Sequence, residues 1–191
     1  MNDSPSQDEF DEETQKILQS VGQESIEYGL AFASTKLIDS RTYPQPIQEE
    51  RASFVTIKIE EKLRGCMGSL KPRMPLVSDV SHNAFAAAFN DPRFPSLSRD
   101  EFEKISIGIS VLSPSSKVEF ASQEDLLDKL QPKTDGFILR YRQQTGTFLP
   151  VVWENISEPE QFLKHLKAKA GLSPDFWSEE ITIERFTATC F

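Results

Sequence analysis

The stretch Leu63-Arg64-Gly65-Cys66-Met67-Gly68-Ser69 places a thiol between two glycines and one residue from an arginine. A thiol reacts as its thiolate, and positive charge or converging N–H groups favour that form. Glycines let a chain turn tightly and approach a partner closely. The segment therefore reads as a thiol presented at a turn. Cys66 would be a nucleophile there, and the N–H groups around Gly65 and Gly68 would stabilise an anion. The competing reading is structural: a cysteine chosen for its small size at a tight turn.

A nucleophile of this kind needs a base. The chain has two histidines. His82 lies shortly after the motif and is the candidate base, while His165 belongs to the polar side of a later helix. A second charged pair, Asp91 and Arg93, sits in Asn90-Asp91-Pro92-Arg93-Phe94-Pro95, stiffened by two prolines. Asp91 could move a proton. Arg93, with Arg64, could clamp a carboxylate or phosphate bidentately. The alternative is an Asp91–Arg93 bond that only fixes the loop. Glu154 reads as a solvated residue at a strand end, and Cys190 as structural. No glycine-rich nucleotide loop, HExxH pattern, CxxC pair or EF-hand loop is present. No metal and no cofactor is expected.

These residues must be held by elements that the pattern defines. Apolar positions from Ile17 to Phe32 recur at helical spacing, so residues 14–36 form an amphipathic helix facing inward through Ile17, Leu18, Val21, Ser25, Tyr28, Gly29 and Phe32. Phe54–Ile59 alternates and is a strand. Glu60–Lys62 connects it to a return strand that ends near Cys66. A second helix, Leu76–Phe89, carries a small-residue face. Ser98-Arg99-Asp100-Glu101 is a capping box opening a short helix. Ile105–Val111 is a strand with one buried face. Residues 122–130 form a short helix, 137–142 and 147–152 form a hairpin across a turn at 143–146, and 158–170 is a helix ended by Gly171. Residues 181–191 read as a terminal strand. Hairpins with intervening helices indicate an α+β fold, mostly antiparallel.

With 191 residues, 38% of them hydrophobic and fourteen phenylalanines, the chain can build a real core. Of the net charge of −9, six units fall in residues 1–13, which carry six acids and no base. That leader is expected to be unstructured. The remaining body, about −3, is acidic and lacks the basic face that nucleic acid requires. No apolar run is long enough for a membrane span, and no signal peptide is apparent. A cytoplasmic protein that engages neither nucleic acid nor membrane is expected.

Four motifs in order resemble the AMMECR domain family. Leu63-Arg64-Gly65-Cys66-Met67-Gly68 is similar to its Leu-Arg-Gly-Cys-Ile-Gly signature, with Met67 in the apolar slot. Asp91-Pro92-Arg93-Phe94-Pro95-Ser96-Leu97-Ser98 resembles its second motif. Phe148–Trp153 and Phe162-Leu163…Lys169-Ala170-Gly171-Leu172 resemble its bacterial branch, protein A of the AmmeMemoRadiSam system. The resemblance covers residues 15–191. It implies an α+β fold with larger and smaller sub-lobes, the motif cysteine lying near a cleft between them. It also implies genomic company with a Memo-like protein and a radical SAM protein, and carries no established activity. Two functions stand open: a thiol-dependent enzyme on a small substrate, with Cys66 as nucleophile, or a non-catalytic adaptor for one of those two partners.

Overall fold

The computed structural model describes residues 10–191, in two units: one runs to Leu112 and takes back Thr189–Phe191, the other is Ser113–Ala188. In the first unit α1 (Glu12–Phe32) packs on α2 (Leu76–Phe89), and α2 covers a four-stranded sheet ordered β2-β1-β3-β8. These strands are β1 (Ser53–Ile59), β2 (Lys62–Gly68), β3 (Ile105–Leu112) and β8 (Ala188–Cys190). The core joins Leu18, Val21, Val55, Ile57, Val77, Val80, Ile109 and Val111. The short helix α3 (Arg99–Phe102) carries the full capping box of Ser98 and Glu101.

The second unit holds a sheet ordered β4-β7-β5-β6, from β4 (Ser116–Val118), β5 (Gly136–Tyr141), β6 (Gln144–Phe148) and β7 (Thr182–Phe186). The helices α4 (Gln123–Lys129) and α5 (Pro159–Lys169) complete its core around Leu126, Phe137, Leu139, Trp153, Phe162 and Leu166. Trp153 stacks flat on Phe162 and donates its Nε1–H to the Asp135 carbonyl, 2.8 Å.

The expected α+β class with antiparallel sheets is observed, and α2 has the bounds read from the sequence. Several expectations change. The leader read as unstructured to Glu13 ends earlier, because Phe10 enters the core and Asp11 caps α1 by accepting from the Thr14 amide, 2.8 Å. Residues 1–9 of that leader lie outside the described residues. Helix α1 stops at Phe32, where Ala33 adopts a left-handed conformation, φ 52°. Tyr28 and Phe32 are exposed rather than inward. At that level of α1, Gly29 meets Phe85 and Phe89, and the Tyr28 and Phe32 rings lie tilted against each other, 4.5 Å between centroids. The terminal run is two strands: β7 joins the second sheet and β8 the first. The hairpin turns at Arg142 (φ 52°), so Gln144–Gly146 belongs to β6, and 150–154 forms a short 3₁₀ turn.

Candidate functional site at the edge of the first sheet

Cys66 lies within β2, opposite Thr56 of β1, and not at a turn. The glycines explain the correction. A Cβ on Gly65 would stand 2.1 Å from the carbonyl oxygen of Ala87 in α2, and one on Gly68 would stand 2.3 Å from the Phe54 ring. They permit close packing inside a strand, which leaves the same sequence signature as a turn. The strand also turns successive N–H groups to opposite sides, so they do not converge on one anion.

β2 is an outer strand. Its register fixes which backbone groups face outward. The Ser69 amide donates to the Ser53 carbonyl, 3.0 Å. Antiparallel pairs alternate between bonded and non-bonded, so counting inward makes Thr56–Cys66 a non-bonded pair. The N–H and C=O of Cys66 therefore point off the sheet edge. Asp91 and Arg93 meet them there. Asp91 Oδ2 accepts from the Cys66 amide at 2.9 Å, and Arg93 Nη2 donates to the Cys66 carbonyl at 3.3 Å. This acid–base pair occupies the place of a further strand and closes an edge that would otherwise be open to pairing.

Asp91 is committed four ways. Besides the Cys66 amide, it accepts from the Arg93 amide at 3.1 Å, Arg93 Nε at 2.9 Å and Arg93 Nη2 at 2.7 Å. The Arg93 guanidinium, first, and the two amides hold its carboxyl far below the usual carboxylate range, against the opposing effect of burial. A carboxylate held this firmly in its charged form is a poor proton acceptor at neutral pH. Arg93 is itself held more firmly protonated, chiefly by Asp91, and the Cys66 thiol is close enough to act on it electrostatically. The side chain of Asp91 is 2% exposed and that of Arg93 53%, so the pair presents a cation outward from a buried anion.

Arg64 reaches the same edge by a bulge. Ile57 pairs with Gly65 but Lys58 with Leu63, leaving Arg64 as the extra residue. Leu63 stays exposed and Arg64 is buried. Its Nε and Nη2 grip both oxygens of Glu101 at 2.7 and 3.0 Å, and Nη2 also donates to the Pro95 carbonyl at 2.9 Å. Arg64 first, then the Ser98 amide, push the Glu101 carboxyl down to about 2. The Phe94 ring lies 5.8 Å from the Arg64 guanidinium and 5.5 Å from that of Arg93.

The structure thus brings together Arg64, Gly65, Cys66, Gly68, Asp91 and Arg93, all in the first unit. It does not bring His82 to the thiol. His82 is exposed on α2, and among the described residues no hydrogen bond joins it to Cys66. The face of α2 that meets Gly65 carries Ala87, five residues on, which is about 140° around the helix. The sulfur instead accepts from the Thr56 hydroxyl, 3.4 Å, and is half-buried. His165 is exposed, its ring Nδ1 2.7 Å from the Gln161 carbonyl. Among the described residues no group of three His, Cys, Asp or Glu side chains could hold a metal ion, and no helix is long and apolar enough to cross a membrane.

The sequence reading missed Glu101 as the partner of Arg64, because its capping-box role already explained it. It also missed Asp79. This buried carboxylate accepts from the Ser53 amide (2.8 Å), Ser53 Oγ (2.7 Å), Asn83 Nδ2 (2.8 Å) and Ser69 Oγ (2.9 Å). It ties the start of β1 and the residue after β2 to α2. Burial pushes its carboxyl upward despite those donors. The only signal was Asp79 and Asn83 at i, i+4 on one helix face.

Residues 20–191 match the AMMECR1 family. The chain belongs to that family. It is 35% identical to Protein MJ0810 of Methanocaldococcus jannaschii over 164 residues, 84% of this chain and 82% of the relative. It is 38% identical to Protein MK0488 of Methanopyrus kandleri over 168 residues, 83% and 79% of the two chains. The crystal structure of an uncharacterized Pyrococcus horikoshii protein, PH0010, superposes with a TM-score of 0.86 at 29% identity, covering 94% of this chain and 91% of that one. The AMMECR1 family match spans both units, while the signature residues of this chain occupy the first.

Proposed function

We propose that this AMMECR1-family protein is a binding module, and that the edge formed by Cys66, Asp91, Arg93 and Phe94 is a rigid docking surface for a protein partner. One observation carries the reading: Asp91 spends its carboxylate on the Cys66 amide and on three donors of Arg93. The groups that would have to move protons are thereby a fixed brace, and His82 stands elsewhere. What the brace leaves outward is a half-exposed guanidinium beside an aromatic ring, a pairing that recurs in interface hot spots. The resemblance to the bacterial AmmeMemoRadiSam proteins names the candidates, a Memo-like protein or a radical SAM protein. Co-purification of tagged full-length protein with each candidate tests this. A stable complex that Arg93→Ala disrupts is expected, and failure to recover either candidate overturns it.

A second reading keeps the thiol active. The Thr56 hydroxyl donates to Cys66 Sγ, and the Arg93 guanidinium lies within electrostatic reach of it. With its sulfur placed so, Cys66 attacks a small electrophilic substrate that Arg93 orients, and the substrate's own leaving group departs. Its test is the pH dependence of Cys66 alkylation by iodoacetamide. Reaction at pH 6 comparable with that at pH 9 would favour this reading. A rate that falls about tenfold per pH unit on the acid side of an ordinary thiol value would remove it.

A further inference from the structure

The brace of Asp91 and Arg93 closes the outer edge of β2 at Cys66 only. Backbone direction repeats every two residues along a strand, so the next outward-facing groups belong to Gly68. The Ser69 amide bonds to the Ser53 carbonyl, which makes Phe54–Gly68 a non-bonded pair. The N–H and C=O of Gly68 therefore point off the sheet. Among the described residues no further strand pairs with β2 there, and no side chain bonds to either group. Gly68 is part-exposed and stands roughly 7 Å along the strand from Cys66. Arg93 bounds this open stretch. Its Nε and Nη2 are taken up by Asp91 and the Cys66 carbonyl, whereas Nη1 makes no hydrogen bond among the described residues. The Phe54 ring, also part-exposed, lies over Gly68, where a Cβ would stand 2.3 Å from it.

These features select one occupant. An extended segment can add to β2 by exchanging both backbone hydrogen bonds with Gly68. It cannot continue past Cys66, because Asp91 and Arg93 fill that position. Such a segment ends beside Arg93, whose guanidinium repels an N-terminal ammonium and attracts a C-terminal carboxylate. We propose that β2 captures the free C-terminus of a partner protein as an added antiparallel strand, paired at Gly68 and with its terminal carboxylate on Arg93 Nη1. The antiparallel sense follows from direction, since a chain whose C-terminus lies toward Cys66 runs against β2. The penultimate side chain then sits opposite Gly68, on the face of the Phe54 ring, which favours an apolar residue. The chain's own terminus is already engaged, because Phe191 exchanges both bonds with Ile109, at 2.8 and 3.0 Å. The inference rests on the docking function proposed above and adds to it the part of the partner that is held.

The test is an NMR titration of the ¹⁵N-labelled full chain with acetylated pentapeptides of the pattern Thr-Lys-Thr-X-Thr. X is Val, Ile, Leu or Phe, and each peptide is made with a free and with an amidated C-terminus. Saturable shifts centred on Met67, Gly68 and Arg93 are expected with at least one free-carboxylate peptide, together with slower exchange of the Gly68 amide. Amidation of the peptide and Arg93→Gln in the protein should each weaken binding about tenfold or more, since each removes the charged hydrogen bond. No saturation by about 5 mM with any free-carboxylate peptide overturns the proposal, as does equal binding of the amidated forms. Failure of the docking function itself reads out separately. In a co-purified complex that Arg93→Ala disrupts, truncation of the partner's C-terminal residues should abolish binding. A complex lost with Arg93→Ala but unchanged by that truncation keeps the docking surface and overturns strand capture.

Discussion

Replacing Asp91 by alanine should unlock the sheet edge, and its cost can be built from the contacts. The substitution orphans the Cys66 amide, which at a half-buried edge costs about 1 kcal/mol. It also removes a bidentate charged pair whose acid is buried and whose base is half-exposed. A wholly buried pair broken on one side costs roughly 3–5 kcal/mol. Arg93 can rehydrate, so about 1–2 kcal/mol is the better figure for this part. The total is about 2–3 kcal/mol. Asp91→Asn retains an oxygen for the Cys66 amide and loses the charge, so it should fall between wild type and alanine. Urea unfolding monitored by circular dichroism measures the order, and hydrogen exchange at the Cys66 amide localises it. An Asp91→Ala protein within about 0.5 kcal/mol of wild type, with the Cys66 amide still protected, would refute the brace.

Two further outcomes follow from the same site. Gly65→Ala forces a methyl group to 2.1 Å from a backbone oxygen of α2, an atom that cannot swing aside; a loss of roughly 2–4 kcal/mol by urea unfolding is expected, and an alanine variant as stable as wild type would contradict the packing role. In acid, Asp91 and Glu101 titrate in the fold below their unfolded values. Their contributions are complete above the unfolded range near 4.5 and are lost as pH falls, Glu101's through about 2. Asp79, held high by burial, contributes with the opposite sign and loses its share as pH rises through its raised value. Stability measured from pH 6 to 2 should decline on balance, and less steeply in Asp91→Asn.

Local pattern made much of the fold legible. The small-residue run of α2, the alternation of β3 and the Ser98–Glu101 capping box each state their structure within a few neighbouring residues. What stayed hidden depends on partners far along the chain. Gly65 and Gly68 looked like a turn because a missing Cβ serves tight turning and close packing alike, and only Ala87 and Phe54 decide between them. Residues 181–191 read as one strand because their alternation runs through Thr187, whereas the two halves pair with different sheets. The signature residues themselves were found, but not their relations. Arg64 finds Glu101 across 37 positions, and Cys66 is bonded to Asp91 through its backbone, which no side-chain pattern records. His82 lay near Cys66 in sequence only.

The central claim, that the signature edge binds rather than reacts, separates the sulfur from the guanidinium. Titration calorimetry of the full chain with the co-purifying partner, comparing Cys66→Ala with Arg93→Ala, addresses it most directly. The account predicts that Cys66→Ala binds within about twofold of wild type, while Arg93→Ala loses about tenfold or more. Binding that collapses with the thiol and survives loss of the guanidinium would contradict it.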